Sequence, residues 1–272
     1  MDANNKNGRS EMMQSHKRIV IKVGSTTLTY PSGKLNLKRI NRLAWTISDL
    51  KNQGKEVILV TSGAVAIGAE ILALSERPRD IVGKQAASAV GQAALMQIYE
   101  QFFGQYNQKV AQILLTKDVV EHNIRRRNAE NTFFKLLSMD VLPIVNENDS
   151  VSTEELEFTF AENDTLSAYV ACLTKSDLLI MLSDIDGMYN ADPRLDPDAR
   201  IIPYIAKIDD AIMQCAGGSQ TSFGTGGMAS KLTAARMAGQ HNIDTIITSG
   251  EDPAILFDIM DGMEIGTYFR HV

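Results

Sequence analysis

The sequence predicts an α/β protein, a three-layer αβα sandwich in which helices cover both faces of a mainly parallel sheet. Short, nearly all-apolar runs alternate with amphipathic segments along the chain, which is typical of parallel sheets buried on both faces. Glycine-rich or polar segments directly follow several of these runs, as Thr61 to Ala64 follows Val57–Val60. Such segments predict ligand-binding loops at one edge of the sheet, where the strands have their carboxyl ends.

The strands are predicted from short runs of β-branched and large apolar residues that end at glycine or polar residues. In chain order they are Ile19–Val23, Val57–Val60, Val110–Leu115, Val141–Val145, Leu178–Leu182, Asp244–Thr248 and Ile265–Phe269. The segment Glu154 to Phe160 alternates polar and apolar residues, which favours a hairpin arm outside the core sheet.

The helices are predicted from apolar residues at helical spacing, as with Ile40, Leu43, Ala44 and Ile47 in the first of them. In chain order they cover Leu35–Leu50, the segment from Ala64 to about Leu72, Val82–Phe103, Val119–Leu137, Thr165–Leu173, Leu232–Gln240 and Pro253–Met260. The proline-rich stretch from Asp186 to Pro203 is predicted to be mostly loop.

The 272 residues suffice for one continuous domain with a buried core, predicted here over residues 18–272. Residues 1–17 are polar and predict a flexible tail. A formal net charge of −6 argues against a nucleic acid or a membrane surface as partner. The chain has no apolar run of ~18 residues and no signal-peptide pattern, so we expect a cytoplasmic protein.

Two lysines beside glycines, far apart in sequence, are the main chemical signal. Lys22 closes an apolar strand before Gly24, and Lys231 closes the loop that begins at Gly224. Glycines let backbone N–H groups approach a phosphate, and a helix N-terminus adds the positive end of its dipole. A lysine at each loop therefore predicts phosphoryl transfer, although both lysines could instead be ordinary surface residues.

The better-known phosphate-binding patterns do not occur in this chain. It contains no Gly-x-x-x-x-Gly-Lys-Ser/Thr loop, and no Gly-x-Gly-x-x-Gly follows the first strand. The His-Arg-Asp and Asp-Phe-Gly elements of protein kinases are also missing. These absences disfavour a P-loop enzyme, a nicotinamide dehydrogenase and a protein kinase.

Six segments together resemble the amino acid kinase family, and they occur in the family's order between residues 18 and 272. These segments are Lys22 to Thr29, Thr61 to Ala64, Val145 to Asp149, Asn163 to Ala168, Ser183 to Tyr189 and Gly224 to Lys231. Within the family they are most similar to the members that phosphorylate the side-chain carboxylate of L-glutamate in the first step of proline biosynthesis. That carboxylate is ionised at pH 7, so such a reaction needs charge neutralisation and positioning rather than a general base.

The resemblance implies a role for each matching residue. The predicted catalytic residues are Lys22, Lys231 and Asp164, with Asp164 holding both lysines. The predicted substrate-binding residues are Ser62, Gly63, Asn146, Asp149 and Asn163. The predicted nucleotide-binding residues are Lys22, Gly24, Ser183, Asp184, Thr225, Gly226, Gly227, Met228, Ala229, Ser230 and Lys231. No residue is predicted as a metal ligand.

Several of these residues also have ordinary structural readings. Asp164 could cap the helix that starts near Thr165, and Gly24 and Gly63 could be plain turn glycines. Ser62, Asp149 and Asn163 could likewise be cap or turn residues. Glu162 departs from the aspartate that the family pattern places there, which puts its role in doubt.

The resemblance further implies ATP with Mg²⁺, L-glutamate as the acceptor, and proline as a feedback inhibitor acting near Glu154 to Phe160. It implies a homo-oligomer, an amino-acid-binding half over about residues 18–175 and a nucleotide-binding half over about residues 176–272. Many glutamate-phosphorylating members carry a further C-terminal PUA-type domain, which is absent from these 272 residues. Two alternatives stay open: a sister kinase acting on acetylglutamate, aspartate or carbamate, and a nucleotide-binding regulator without turnover.

Overall fold

The strands form one mixed sheet in the computed structural model, which describes residues 3–30, 32–151, 163–193, 195–217 and 227–271. In these residues the strands are β1 (Arg18–Val23), β2 (Glu56–Val60), β3 (Val110–Leu115), β4 (Leu142–Glu147), β5 (Leu178–Ser183), β6 (Tyr204–Ile205), β7 (Asp244–Ser249) and β8 (Thr267–Phe269). Their order in the sheet is β3-β4-β2-β1-β5-β7-β8-β6.

The helices of the described residues lie between these strands. They are α1 (Ala3–Ser15), α2 (Ser25–Leu28), α3 (Leu37–Asn52), α4 (Ala64–Ile71), α5 (Ile81–Gly104), α6 (Asp118–Glu121), α7 (Asn123–Ser138), α8 (Asn163–Thr174), α9 (Asp210–Gly217), α10 (Met228–Gly239) and α11 (Ile255–Met260), with a 3₁₀ turn at Asp149–Val151. Within these ranges, no helix combines the length and apolar character that a membrane span requires.

The sheet is parallel through its six strands from β3 to β7. β1 lies at its centre, paired in parallel with β2 on one side and β5 on the other, so that Lys22 is level with Val60 and Met181. β8 joins β7 antiparallel, and the short β6 pairs with β8 in parallel. The four adjacent strands β4, β2, β1 and β5 therefore present their carboxyl ends at one edge.

Alternate residues of β1 enter two different cores, one on each face of the sheet. Ile19 and Ile21 pack with apolar residues of α3, α5 and α11, whereas Val20 packs with residues of α7, α8 and α10. Since both faces are covered, β1 must be apolar at nearly every position. The predicted three-layer αβα fold is confirmed.

Most predicted elements agree with the structure to within a few residues, but helices α2 and α9 are not among the predicted ones and there are further local differences. The helix predicted over Val119–Leu137 is broken at His122 into α6 and α7, because His122 has extended backbone angles. The helix predicted from Leu232 begins four residues earlier, so Lys231 lies in the first turn of α10. The strand β6 was not predicted, and the hairpin arm predicted for Glu154 to Phe160 lies outside the described residues.

The N-terminal segment differs from the flexible tail predicted for residues 1–17. It forms α1, whose residue Met13 is fully buried and joins the core of α3 and α5. His16 Nε2 lies 3.2 Å from Asp244 Oδ2, and the backbone of Ser10 packs directly against Gly262. The polar composition gave no local sign of this helix, because the groups that it packs against are distant in sequence and range from α3 to Gly262.

Helices α4 and α5 are held unusually close by two glycines, which fixes α5 near the edge where the central strands have their carboxyl ends (the active-site edge below). A Cβ added to Gly68 would lie 1.7 Å from the carbonyl oxygen of Ala87, and one added to Gly91 would lie 1.9 Å from that of Ala64. Any side chain at either position must push one helix backbone away from the other. The position of α5 relative to α4 therefore depends on both glycines.

We expect Gly68→Ala to destabilise the protein by about 1–3 kcal/mol or more, because the added methyl group meets backbone rather than a movable side chain. Gly104→Ala is the matched control on α5, since a Cβ there has nothing within 4 Å. The control should keep or slightly raise stability, by up to about 1 kcal/mol from helix propensity. Urea denaturation of both variants measures the difference, and equal stabilities would contradict the close helix contact.

Candidate active site

The predicted site residues gather at the carboxyl ends of the four central strands. Lys22 lies near the end of β1, Ser62 follows β2, Asn146 lies near the end of β4 and Ser183 ends β5. Because these strands are neighbours in the order β4-β2-β1-β5, the four positions share one edge of the sheet. The structure thus brings together segments that are widely separated in sequence.

Asp164 on α8 joins the two lysines of the sequence signal. Lys22 Nζ lies 2.6 Å from Asp164 Oδ1, and Lys231 Nζ lies 3.2 Å from Asp164 Oδ2. The three residues are buried, with 1% exposure for Asp164, 8% for Lys22 and 3% for Lys231. The surface-lysine reading is therefore excluded for both cations.

The charge balance of this trio keeps Asp164 ionised. Burial alone would raise the pKa of Asp164, but the two ammonium groups and the hydrogen bonds from Lys22 and Ser230 lower that pKa below its ordinary value. Asp164 is the second residue of α8, and its side chain faces the lysines. Within this trio one carboxylate faces two ammonium groups, so the three side chains together carry a positive charge, which favours an anionic ligand.

The first turn of α10 supplies more of the predicted nucleotide-binding residues. Gly227 is its N-cap, Met228 and Ala229 begin the helix, and Ser230 Oγ donates to Asp164 Oδ2 at 2.8 Å. The predicted residues Thr225 and Gly226 lie outside the described part of the chain. Helix α10 therefore contributes both a cation, Lys231, and a helix N-terminus to the same edge.

The end of β5 carries the remaining predicted nucleotide-binding residues, Ser183 and Asp184. Ser183 Oγ donates to Asp184 Oδ1 at 2.9 Å, and the carbonyl oxygen of Ser183 accepts from Gly250 N at 2.7 Å. Ser183 is buried and Asp184 is exposed. The strand end is thus rigidly held while the carboxylate of Asp184 stays accessible.

The two predicted loop glycines, Gly24 and Gly63, differ in whether their backbone conformation favours glycine. Gly63 has φ +104°, a left-handed conformation that favours glycine on backbone grounds alone. Gly24 has φ −79° and ψ 163°, which any residue can adopt, and a Cβ there would make only ordinary contacts, 3.7 Å from Lys22 Nζ. Beside the Lys22 ammonium group there is thus room for at least one carbon atom at position 24.

The predicted substrate residues Ser62, Asn146 and Asn163 form one hydrogen-bonded network. Asn163 Nδ2 lies within hydrogen-bond distance of three acceptors, which are the carbonyl oxygen of Thr61, Ser62 Oγ at 2.7 Å and Asn146 Oδ1 at 2.9 Å. Asn146 Nδ2 in turn donates to Gln92 Oε1 at 2.9 Å. Residues from β2, β4, α5 and α8 are therefore fixed relative to one another.

Asp149 is held separately by α5. Ser88 Oγ donates to Asp149 Oδ2 at 2.9 Å, and Ser88 is almost fully buried. Burial raises the pKa of Asp149, and the hydrogen bond from Ser88 lowers it in part. Among the described residues, no hydrogen bond is made to the other carboxylate oxygen, Oδ1.

Sequence reasoning missed Ser88 and Gln92, which contact Asp149 and Asn146. They are four residues apart on α5 and so lie on one face of the helix, one turn from each other. Both are buried polar residues. Their spacing was a usable signal, since two polar residues on the inward face of a helix otherwise rich in alanine need partners.

Comparison with known proteins identifies the family. A model described as the amino acid kinase family matches residues 17–249. The chain belongs to the amino acid kinase family. Its described residues share the family's expected arrangement, with the motif segments on one edge of a parallel sheet.

Two curated relatives and one solved structure illustrate the similarity of this amino acid kinase. It is 49% identical over 259 residues to a protein named glutamate 5-kinase from Clostridium perfringens, covering 94% of this chain and 96% of the relative. It is 51% identical over 261 residues to a glutamate 5-kinase from Listeria monocytogenes, covering 95% of each chain. Carbamate kinase from Giardia lamblia bound to AMP-PNP superposes with a TM-score of 0.66 at 18% identity, covering 95% of this chain and all of that one.

Asp164→Asn should destabilise this amino acid kinase more than Lys22→Ala or Lys231→Ala. The asparagine variant removes the charged partner that Asp164 provides to both buried ammonium groups, a loss of about 3–5 kcal/mol for a broken buried pair. Either lysine variant keeps one ammonium group paired with Asp164. Urea denaturation at neutral pH compares the three, and equal or smaller loss in Asp164→Asn would contradict the shared role of this carboxylate.

Proposed function

We propose that this protein transfers the γ-phosphoryl group of ATP to the side-chain carboxylate of L-glutamate, giving L-glutamyl 5-phosphate and ADP. The observation that carries the proposal is the buried trio of Lys22, Asp164 and Lys231 at the active-site edge. The relatives named glutamate 5-kinase, about half identical along nearly their full length, support the choice of substrate.

The reaction needs charge neutralisation more than proton transfer. A carboxylate oxygen of glutamate attacks the γ-phosphorus while the bond from that phosphorus to the β,γ-bridging oxygen breaks, and ADP leaves. Because both reactants are anionic, their approach is unfavourable without nearby cations. Lys22 and Lys231 supply two cations, and Asp164 fixes their positions before the substrates bind.

The nucleotide is proposed to lie over β5 and the start of α10. Gly24 leaves room for a phosphate beside Lys22 Nζ, and the N-terminus of α10 offers backbone N–H groups to a second phosphate. Ser183, Asp184 and the segment from Thr225 to Ser230 complete the proposed nucleotide site. This arrangement corresponds to the nucleotide-binding half predicted over about residues 176–272.

Mg²⁺ is proposed to enter with ATP and to neutralise part of the phosphate charge. Both oxygens of Asp164 are paired with lysine ammonium groups, so we assign this carboxylate to holding the lysines. The described residues contain no group of three or more His, Cys, Asp or Glu side chains that could hold a metal. The ion would be held mainly by phosphate oxygens and water, as is common for magnesium.

Glutamate is proposed to bind on the other side of the lysines, between β2, β4 and α5. Asp149 would accept from the α-ammonium group, and Ser62, Gly63, Asn146 and Asn163 would complete the pocket. This placement corresponds to the amino-acid-binding half predicted over about residues 18–175. Feedback inhibition by proline, assembly into a homo-oligomer and a cytoplasmic location stay predictions.

Trapping with hydroxylamine tests the proposed reaction. The protein is incubated with Mg-ATP, L-glutamate and hydroxylamine, which converts the acyl phosphate to glutamyl hydroxamate before it cyclises. Hydroxamate that depends on both ATP and glutamate is the expected result. Retained ATP binding without hydroxamate would contradict glutamate as the acceptor, and acetylglutamate, aspartate and carbamate would then be compared.

Lys22→Ala and Lys231→Ala should each lower kcat by about 10²–10³-fold, as for removal of one preorganised charged donor. Since the remaining lysine still pairs with Asp164, both variants should stay folded. Hydroxamate formation at saturating substrates gives kcat. Wild-type turnover in either variant would remove that lysine from the proposed mechanism.

In Ser88→Ala, the decrease of kcat/KM for L-glutamate at acidic pH should begin at a higher pH than in the wild type. Binding of the α-ammonium group needs ionised Asp149, so kcat/KM for glutamate falls as the pH drops through the pKa of that carboxyl group. The Ser88 hydrogen bond lowers this pKa, and its loss must therefore raise it. The pH dependence of kcat/KM for L-glutamate, determined at saturating ATP, measures the shift. The same acidic pKa in the variant and the wild type would show that Asp149 does not control the binding of glutamate.

A further inference from the structure

Three side-chain amides form a hydrogen-bonded chain beneath the proposed glutamate site. Gln92 on α5 accepts from Asn146 on β4, and Asn146 accepts from Asn163 on α8, each over 2.9 Å. Gln92 and Asn146 are buried, whereas Asn163 is half-buried. We call these three residues the amide chain.

Backbone groups at two points fix the direction of the amide chain. The carbonyl oxygen of Thr61 can only accept, so the Asn163 atom beside it must be Nδ2. The backbone N–H of Glu147 can only donate, so the Asn146 atom beside it, 3.0 Å away, must be Oδ1. Asn146 therefore points Nδ2 toward Gln92. The Gln92 atom that accepts this hydrogen bond must be its oxygen, Oε1.

This direction determines what the glutamate site can offer a ligand. Asn163 Nδ2 has two hydrogens and lies within hydrogen-bond distance of three acceptors, so toward a ligand Asn163 can only accept through Oδ1. Ser62 Oγ already accepts from Asn163, which leaves its hydroxyl hydrogen to donate. The site thus combines an acceptor at Asn163 with a donor at Ser62.

Gln92 occupies its position at a cost to folding. Its Nε2 is buried and has no hydrogen-bond partner among the described residues. An unpartnered buried donor is unfavourable, and an apolar side chain of similar size would avoid it. The residue is therefore better explained by what its oxygen does for Asn146 than by a contribution of its nitrogen to stability.

We propose that Gln92 is a positioning residue that holds the amides of the amino-acid site in the direction that the backbone groups of Thr61 and Glu147 set. By accepting from Asn146 it helps to keep Asn146 and Asn163 in place, with the oxygen of Asn163 available to a free α-ammonium group and the hydroxyl of Ser62 available to a carboxylate. The inference rests on the proposed function, because it assigns an orientation to glutamate. It also provides a basis for preferring a free amino acid to an N-acylated one, which lacks the positive charge.

Two substitutions at one position test the role of the Gln92 oxygen. Gln92→Met is similar in size but offers Asn146 no acceptor of comparable strength, so Asn146 and, through it, Asn163 are held less firmly in place. We expect the KM for L-glutamate to rise about tenfold or more, the size of effect for one lost hydrogen bond to a charged group. The KM for ATP should stay unchanged, and the preference for L-glutamate over N-acetyl-L-glutamate should fall.

Gln92→Glu is the matched control, because burial favours a neutral carboxyl group whose carbonyl oxygen can still accept from Asn146. Its KM for L-glutamate should remain near that of the wild type. The melting temperature of both variants reports folding, and Gln92→Leu replaces Gln92→Met if the latter does not fold.

Three results would overturn the role of Gln92. They are a wild-type KM for L-glutamate in Gln92→Met, an equal rise in Gln92→Glu, and a parallel rise in the KM for ATP. Each requires that the wild-type protein forms glutamyl hydroxamate. Failure of the wild type to do so would contradict the proposed function itself, so the two failures are distinguishable.

Discussion

The buried carboxylate of Asp164 is the interaction on which the active-site edge depends. Lys22 comes from the central strand and Lys231 from a helix near the other end of the chain, and both reach the same carboxylate. Two buried ammonium groups would repel each other and lose hydration without it. The parallel sheet allows Lys22 to reach Asp164, because it brings the carboxyl ends of β1 and its neighbours to one edge. The same ion pairs of Asp164 with Lys22 and Lys231 therefore stabilise the fold and position the cations for the proposed reaction.

Helix α5 positions the side chains of the proposed glutamate site, as Asp164 positions the two lysines. Close packing against α4 at Gly68 and Gly91 fixes its position, and one face of α5 then holds Asp149 through Ser88 and Asn146 through Gln92. The lysine side of the site is built from charges, whereas this side is built from hydrogen bonds of defined direction. Positive charge suits the phosphoryl group, and directional acceptors suit the α-ammonium group.

The sequence predicted the sheet and the family motifs well, because buried parallel strands are nearly all apolar and end in glycine-rich or polar turns. It also predicted that Asp164 joins the two lysines, through the resemblance to the family. It could not predict α1, since a polar segment folds there only through distant contacts such as that of His16 with Asp244. The spacing of Ser88 and Gln92 did place two polar side chains on one face of α5, but it could not identify their partners, because Asp149 and Asn146 lie on other elements.

Transfer of an oxygen isotope tests the central claim, phosphoryl transfer to a carboxylate, most directly. The protein is incubated with Mg-ATP and L-glutamate carrying ¹⁸O in its side-chain carboxylate, and the acyl phosphate is allowed to cyclise or is trapped by hydroxylamine. Direct attack of the carboxylate on the γ-phosphorus places one labelled oxygen in each inorganic phosphate released, which mass spectrometry detects. Phosphate without label would mean that water, rather than glutamate, receives the phosphoryl group, and would contradict the account.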